Sequence, residues 1–138
     1  MENHGYYVQR STRVEKLLKA VDPPNFGYTM DMGNFMFVNE DPVAAVRRMA
    51  KYPQFVHVKD FHRRSIKDLP LPGWSSTPTP YGLRGAVCGH GVIDVKKQIS
   101  LLRQAGYKGW LSLEFEGIED SIKGVTMGLE FLRGLGLK

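Results

Sequence analysis

Helical and extended patterns alternate along this chain, and that alternation constrains its fold more than any other feature. Residues 11–21, STRVEKLLKAV, place Val14, Leu17, Leu18 and Val21 at helical spacing, with Ser11 as the capping candidate. After a turn at 22–25, the stretch FGYTMDMG (26–33) reads as a short strand. NEDPVAAVRRMAKY (39–52) is the next helix: Asp41 caps it, Pro42 takes the first position, and Val43, Val46 and Met49 or Ala50 face inward. QFVHVKD (54–60) is a strand, and DVKKQISLLRQAG (94–106) a helix capped by Asp94 and stopped by Gly106. WLSLEFE (110–116) is a strand, followed by a last helix over 119–134 that Gly124 and Gly128 weaken. From His62 to about Gly91 the chain carries Pro70, Pro72, Pro78 and Pro80 with little apolar periodicity, which reads as one long loop.

Strands separated by helices imply a parallel sheet covered by helices, the α/β class. Two architectures compete: an open doubly wound sheet, or part of a (β/α)8 barrel. No glycine-rich phosphate loop joins a strand to its helix, and the GxGxxD stretch at Gly89–Asp94 lacks the preceding strand of a nucleotide-binding fingerprint. The open nucleotide-binding sheet is therefore not supported.

The 138 residues suit a single domain, 1–138, and 42% hydrophobic with 24% charged residues is ordinary for a soluble protein. One cysteine, Cys88, excludes an internal disulfide and suits a reducing, cytoplasmic setting. The opening MENHGYYVQR has no apolar signal-peptide region, and no apolar run approaches the roughly 20 residues of a membrane helix. The net charge of +5 is scattered, with clusters only at Arg47/Arg48 and Arg63/Arg64. That pattern reads as solvated surface rather than a polyanion track, so neither nucleic acid nor membrane is expected as a partner.

The strand QFVHVKD sets the functional question. Alternate residues of a strand share a face, so His57 and Lys59 point one way while Val56 and Val58 point the other. Asp31 closes the first strand pattern, Glu114 lies within the last, and Glu2 precedes the first helix, where a strand would end. In parallel α/β proteins the carboxyl ends of the strands open onto one face, where sites are built. Three oxygen donors and one imidazole suit a divalent cation, and the lack of thiolates argues against a structural zinc. Singly, each residue has a plain reading: Asp31 a loop aspartate, His57 a core histidine, Glu114 a solvent-facing residue, Glu2 a loose tail. As a set on successive strand ends they favour a site.

The pieces ENHG (2–5), DMGN (31–34), HVKD (57–60), GHGVID (89–94) and GYKGWLSLEFEG (106–117) run in an order that resembles the xylose-isomerase-like barrels, specifically their C-terminal half. That group holds sugar isomerases and epimerases together with endonuclease IV. The resemblance implies that Glu2, Asp31, His57 and Glu114 hold one divalent metal, manganese first, with magnesium, cobalt or zinc as alternatives. It implies proton-transfer isomerisation or epimerisation of a keto-sugar through an enediolate, with Glu2 and Glu114 as the acid/base pair. Lys59, Asp60, Arg63, Asn34 and His90 are the candidates for holding substrate, although Arg63 reads equally as a solvated loop residue and His90 as an exposed turn. Trp74 and Tyr81 are candidates for covering a sugar face, or for packing down the loop.

Where the endonuclease branch carries a histidine after the strand aspartate, this chain has Asn34. Where it carries Asp-x-His before the glycine turn, this chain has Leu83-Arg84-Gly85. A trinuclear zinc cluster and DNA cleavage are not expected. With only three full strands legible, an incomplete barrel is expected: a fragment of a longer chain, a separately encoded half that assembles with an N-terminal half-barrel partner, or a homodimer of half-barrels. Two alternatives stand beside the isomerase reading: a hydroxypyruvate-type isomerase or dehydratase of the same fold, and a non-catalytic half-barrel interaction module.

Overall fold

The structure is a computed structural model that describes residues 1–21, 24–69 and 71–137; the turn expected at 22–25 lies partly outside them. Helix α1 (Ser11–Ala20) leads into strand β1 (Thr29–Asp31), a 3-10 helix (Asn34–Val38) and helix α2 (Pro42–Met49). Strand β2 (Phe55–Val58) follows, then β3 (Asp60–Ser65), β4 (Tyr81–Ala86), α3 (Val95–Gln104), β5 (Leu111–Leu113) and α4 (Ser121–Gly134).

The main sheet has the order β1-β2-β5, all parallel, with Asp31 opposite His57 and His57 opposite Ser112. Glu2 forms an isolated parallel bridge with Thr29, so the opening segment lies along β1 as a further strand would. Asn3 ties it there: its side chain donates to the Asp31 carbonyl at 2.9 Å and accepts from the Asp31 N–H at 2.8 Å and the Tyr28 hydroxyl at 2.9 Å. All these C-terminal ends therefore reach one rim. α/β architecture with parallel strands is what the alternation of patterns required.

Strand β2 shows the division of faces that its sequence implies. Val56 and Val58 are fully buried against the helices, while His57 is half-buried on the opposite face. On the helical side Val46, Met49, Ile99 and Leu102 complete the core. Each such side chain contributes roughly 1.5–3 kcal/mol when removed from water. Asp41 and Asp94 cap their helices as expected, accepting from the Ala44 and Lys97 N–H groups, and Asp120 caps α4 in the same way, accepting from Lys123.

Three expectations change. Ser11 is not the cap of α1; it is the helix's first residue, and its N–H and hydroxyl both donate to the Glu40 carboxylate. A carboxylate from a distant segment thus satisfies the helix N-terminus. Strands β1 and β5 are each only three residues long, so Glu114 stands just past its strand. The stretch 62–91 is not an irregular loop: β3 and β4 pair antiparallel from Asp60 opposite Ala86 to Ser65 opposite Tyr81. Its apolar signal was weak because half of β3 is exposed and its two buried residues are adjacent, so no alternating buried face marked the period. Gly124 and Gly128 weaken α4 in isolation, yet a side chain at either would run into Phe115 or Leu113, so they let the helix lie close on β5.

No described helix is long and apolar enough to cross a membrane.

Candidate metal centre

Strand ends bring four donors together. One ligand atom from each of Glu2, Asp31, His57 and Glu114 lies within 4.8 Å of the others. His57 Nδ1 stands 3.4 Å from Glu2 Oε1 and 3.4 Å from Glu114 Oε2. Asp31 is fully buried, and its other oxygen accepts N–H bonds from Gly33 and Asn34, both at 2.8 Å, which fix the carboxylate. The backbone supplies the rest: the Glu114 N–H donates to the Val58 carbonyl at 2.9 Å, extending β5 past its end and setting Glu114 beside His57.

Lys59 Nζ reaches the same cluster, 3.2 Å from Asp31 Oδ2, 3.0 Å from Glu114 Oε2 and 3.2 Å from Glu116 Oε1. Its side chain is buried. Burial pushes the Asp31 carboxyl up to about 6, with the Lys59 ammonium pulling the other way. Burial also disfavours charge on Glu114, but the ammonium beside it outweighs that and holds Glu114 below the ordinary glutamate range. For Lys59 itself, burial lowers the value and the surrounding carboxylates more than restore it, so the ammonium is secured.

The fit to a cation can be tested on the atoms themselves. Asp31 Oδ2, His57 Nδ1 and Glu114 Oε2 are buried and make no directed hydrogen bond. Both carboxylate oxygens are ion-paired with Lys59, at 3.2 and 3.0 Å. Buried polar atoms without a hydrogen bond are rare and costly. Three of them converging, two carboxylate oxygens and one imidazole nitrogen, form a donor set suited to a hard or borderline divalent ion.

Beside the cluster lies a hollow of about 240 Å³ lined by His4, Gln9, Asn34, Phe37, Lys59 and Glu116. Lys59 and Asn34, two of the substrate candidates, line this hollow. Asp60 does not. Its two oxygens accept backbone N–H groups of Phe61, Gly89, Gly91 and Ile93 at 2.8–3.2 Å, so it clamps the 89–93 turn. Burial lifts its pKa above the usual aspartate range, against the pull of those four donors. Arg63 is exposed and lies over the Tyr81 ring at 5.2 Å, and His90 is exposed on its turn. Neither Trp74 nor Tyr81 lines the hollow: Trp74 sits between Arg64 and Arg84, and the Tyr81 hydroxyl donates to the Met36 carbonyl. A larger hollow, about 390 Å³, lies at the other end of β5 against α4, away from the ligands.

Glu116 and Asn3 escaped the sequence reading. For Glu116 the signal was present: it follows Glu114 by two, as Lys59 follows His57. Asn3 gave none, because its value lies in three bonds to residues 28 and 31.

The chain is similar to proteins of known kind. The model of the xylose isomerase-like TIM barrel family matches residues 1–135. An inosose dehydratase of Clostridium tetani is 30% identical over 112 residues, covering 81% of this chain and 38% of that protein. A xylose isomerase-like TIM barrel protein of Mycobacterium smegmatis, solved in complex with magnesium, superposes with a TM-score of 0.71 at 19% identity, over 94% of this chain and 40% of that one. Mannonate dehydratase of Streptococcus suis serotype 2 gives a TM-score of 0.69 at 18% identity, over 96% and 39%. The two structural likenesses establish the fold. The chain spans about two fifths of the length of the relatives it matches.

Proposed function

The chain belongs to the xylose isomerase-like TIM barrel family, and from that premise we propose that it carries the metal centre of a dehydratase acting on a keto-polyol. The observation that carries this reading is the convergence of Glu2, Asp31, His57 and Glu114 within 4.8 Å, three of them with buried ligand atoms that make no hydrogen bond. The inosose dehydratase relatives favour loss of water over isomerisation as the outcome. Manganese is the first candidate cation; magnesium, which the Mycobacterium smegmatis relative holds, is the next, ahead of cobalt and zinc.

A divalent cation held by these four residues supplies Lewis-acid polarisation of a carbonyl oxygen and offsets negative charge developing beside it. The protein's own groups do the rest. Glu114, kept ionised by Lys59, takes the proton from the carbon next to the carbonyl. The electrons released form a carbon–carbon double bond as the hydroxyl on the next carbon leaves. Glu2, the second carboxyl group of the pair, passes that hydroxyl a proton as it leaves, so that it departs as water. Lys59 donates to a substrate oxygen from the wall of the hollow.

The isomerase and epimerase reading shares the proton abstraction and differs only where the proton returns. Two glutamates at equal 3.4 Å distances from His57 Nδ1 favour it, because two carboxylates can serve opposite faces of one carbon. Incubation of Mn²⁺-loaded protein with inosose in D₂O tests both. Dehydration appears as an unsaturated product, isomerisation or epimerisation as deuterium at carbon without loss of water. Glu114→Gln is expected to slow either by roughly 10²- to 10⁴-fold. A wild-type protein that does neither removes the enzymatic reading and favours the interaction module.

A further inference from the structure

Glu116 has no part in the ligand set, yet it completes the surroundings of Lys59. We propose that the Lys59–Glu116 pair reads two adjacent hydroxyls of an uncharged polyol in the hollow beside the metal centre. This rests on the reading that the neighbouring cluster holds a cation. The two charged residues lining that hollow are Lys59 and Glu116, with Nζ and Oε1 3.2 Å apart. An ammonium that donates beside a carboxylate that accepts matches a diol in which one oxygen accepts and its neighbour's O–H donates. Half of the Glu116 side chain is exposed, so the pair itself is weakly held and can open toward a ligand. Two of the three carboxylates around Lys59 are Asp31 and Glu114. When these turn to a cation, Glu116 and the hollow are what remain for the ammonium's donors. Phe37, half-buried on the same wall, offers an apolar surface to ring C–H groups.

The charge balance selects against an anion. A substrate carboxylate or phosphate calls for a guanidinium fork or an unmatched ammonium. With Asp31 and Glu114 on the cation, Lys59 still has Glu116 as its match, and the neighbouring arginines are committed elsewhere: Arg63 over Tyr81, and Arg84 on Trp74 at 5.4 Å and 3.9 Å from Glu119.

Calorimetric titration of inosose and of mannonate, each with and without saturating Mn²⁺, tests the assignment. Inosose is expected to bind at least about 10-fold tighter than mannonate. Glu116→Ala is expected to weaken inosose roughly 10- to 100-fold, the worth of a hydrogen bond to a charged group, while leaving the Mn²⁺ affinity within about twofold. Glu116→Gln, which keeps an acceptor oxygen, is expected to recover most of the loss. Unchanged inosose binding in Glu116→Ala overturns the proposal, as do mannonate binding as tight as inosose and the absence of sugar binding in both conditions. The metal centre is judged separately, on wild-type Mn²⁺ binding and its loss in Glu114→Gln.

Discussion

Asp31 shows how one side chain joins fold and site. One oxygen is spent on the N–H groups of Gly33 and Asn34, which leaves the other facing Lys59 and the cluster without a directed partner. A cation that binds the folded protein and not the unfolded chain stabilises by about 2.7 kcal/mol at a hundredfold excess over its dissociation constant. The wild-type melting temperature is therefore expected to rise by several degrees with Mn²⁺. Asp31→Asn and Glu114→Gln are expected to abolish most of that rise, as differential scanning fluorimetry with and without metal will record. Cys88 answers chiefly to burial. Removal from water, aided by the nearby Asp60 carboxylate, pushes its thiol up to about 12. A raised thiol pKa means that the neutral form is favoured in the fold up to that range, so no thiolate forms at pH 8. Iodoacetamide at pH 8 is expected to leave Cys88 unmodified in the native protein and to alkylate it readily in urea, as mass spectrometry will show.

At the scale of elements, the β3–β4 hairpin and the turn after β5 form one unit over the site. A Cβ on Gly85 would overlap the backbone of Glu116 and Gly117, so β4 and that turn touch main chain to main chain. Backbone cannot rotate aside as a side chain can. Gly85→Ala is expected to cost about 1–3 kcal/mol in denaturant unfolding. It is also expected to displace Glu116 from Lys59, so sugar affinity falls further than the stability loss alone accounts for. The Asp60 clamp on the 89–93 turn belongs to the same unit, since it begins β3 and holds the chain that follows β4.

For the whole molecule, the strand order leaves β5 paired with β2 alone among the described residues. Trp110 is 80% exposed and Ile122 79% exposed. Side chains without core contacts add little to folding stability but form a surface that water does not favour. The double variant Trp110→Lys, Ile122→Lys is expected to change the unfolding free energy by no more than about 0.5 kcal/mol. Light scattering over a concentration series is expected to show less association than in the wild-type protein.

The residue order by itself determined the elements that obey short periods and the chemistry of their ends. Val56 and Val58 alternate with His57 and Lys59, Asp41 and Asp94 announce helices, and Glu2, Asp31, His57 and Glu114 each mark a place where a strand stops. Those signals are local, and local sterics enforce them. Only the tertiary structure decided what distant groups do for one another: that Asn3 pins the opening segment to β1, that Glu40 rather than Ser11 satisfies α1, that an exposed hairpin replaces a loop. It also reversed the places of two carboxylates, one that the sequence offered for substrate and one that it passed over. Asp60, beside the ligand strand, is consumed by four backbone N–H groups, whereas Glu116 remains open to the hollow. Which groups are already satisfied depends on partners dozens of residues away, and no periodicity records that.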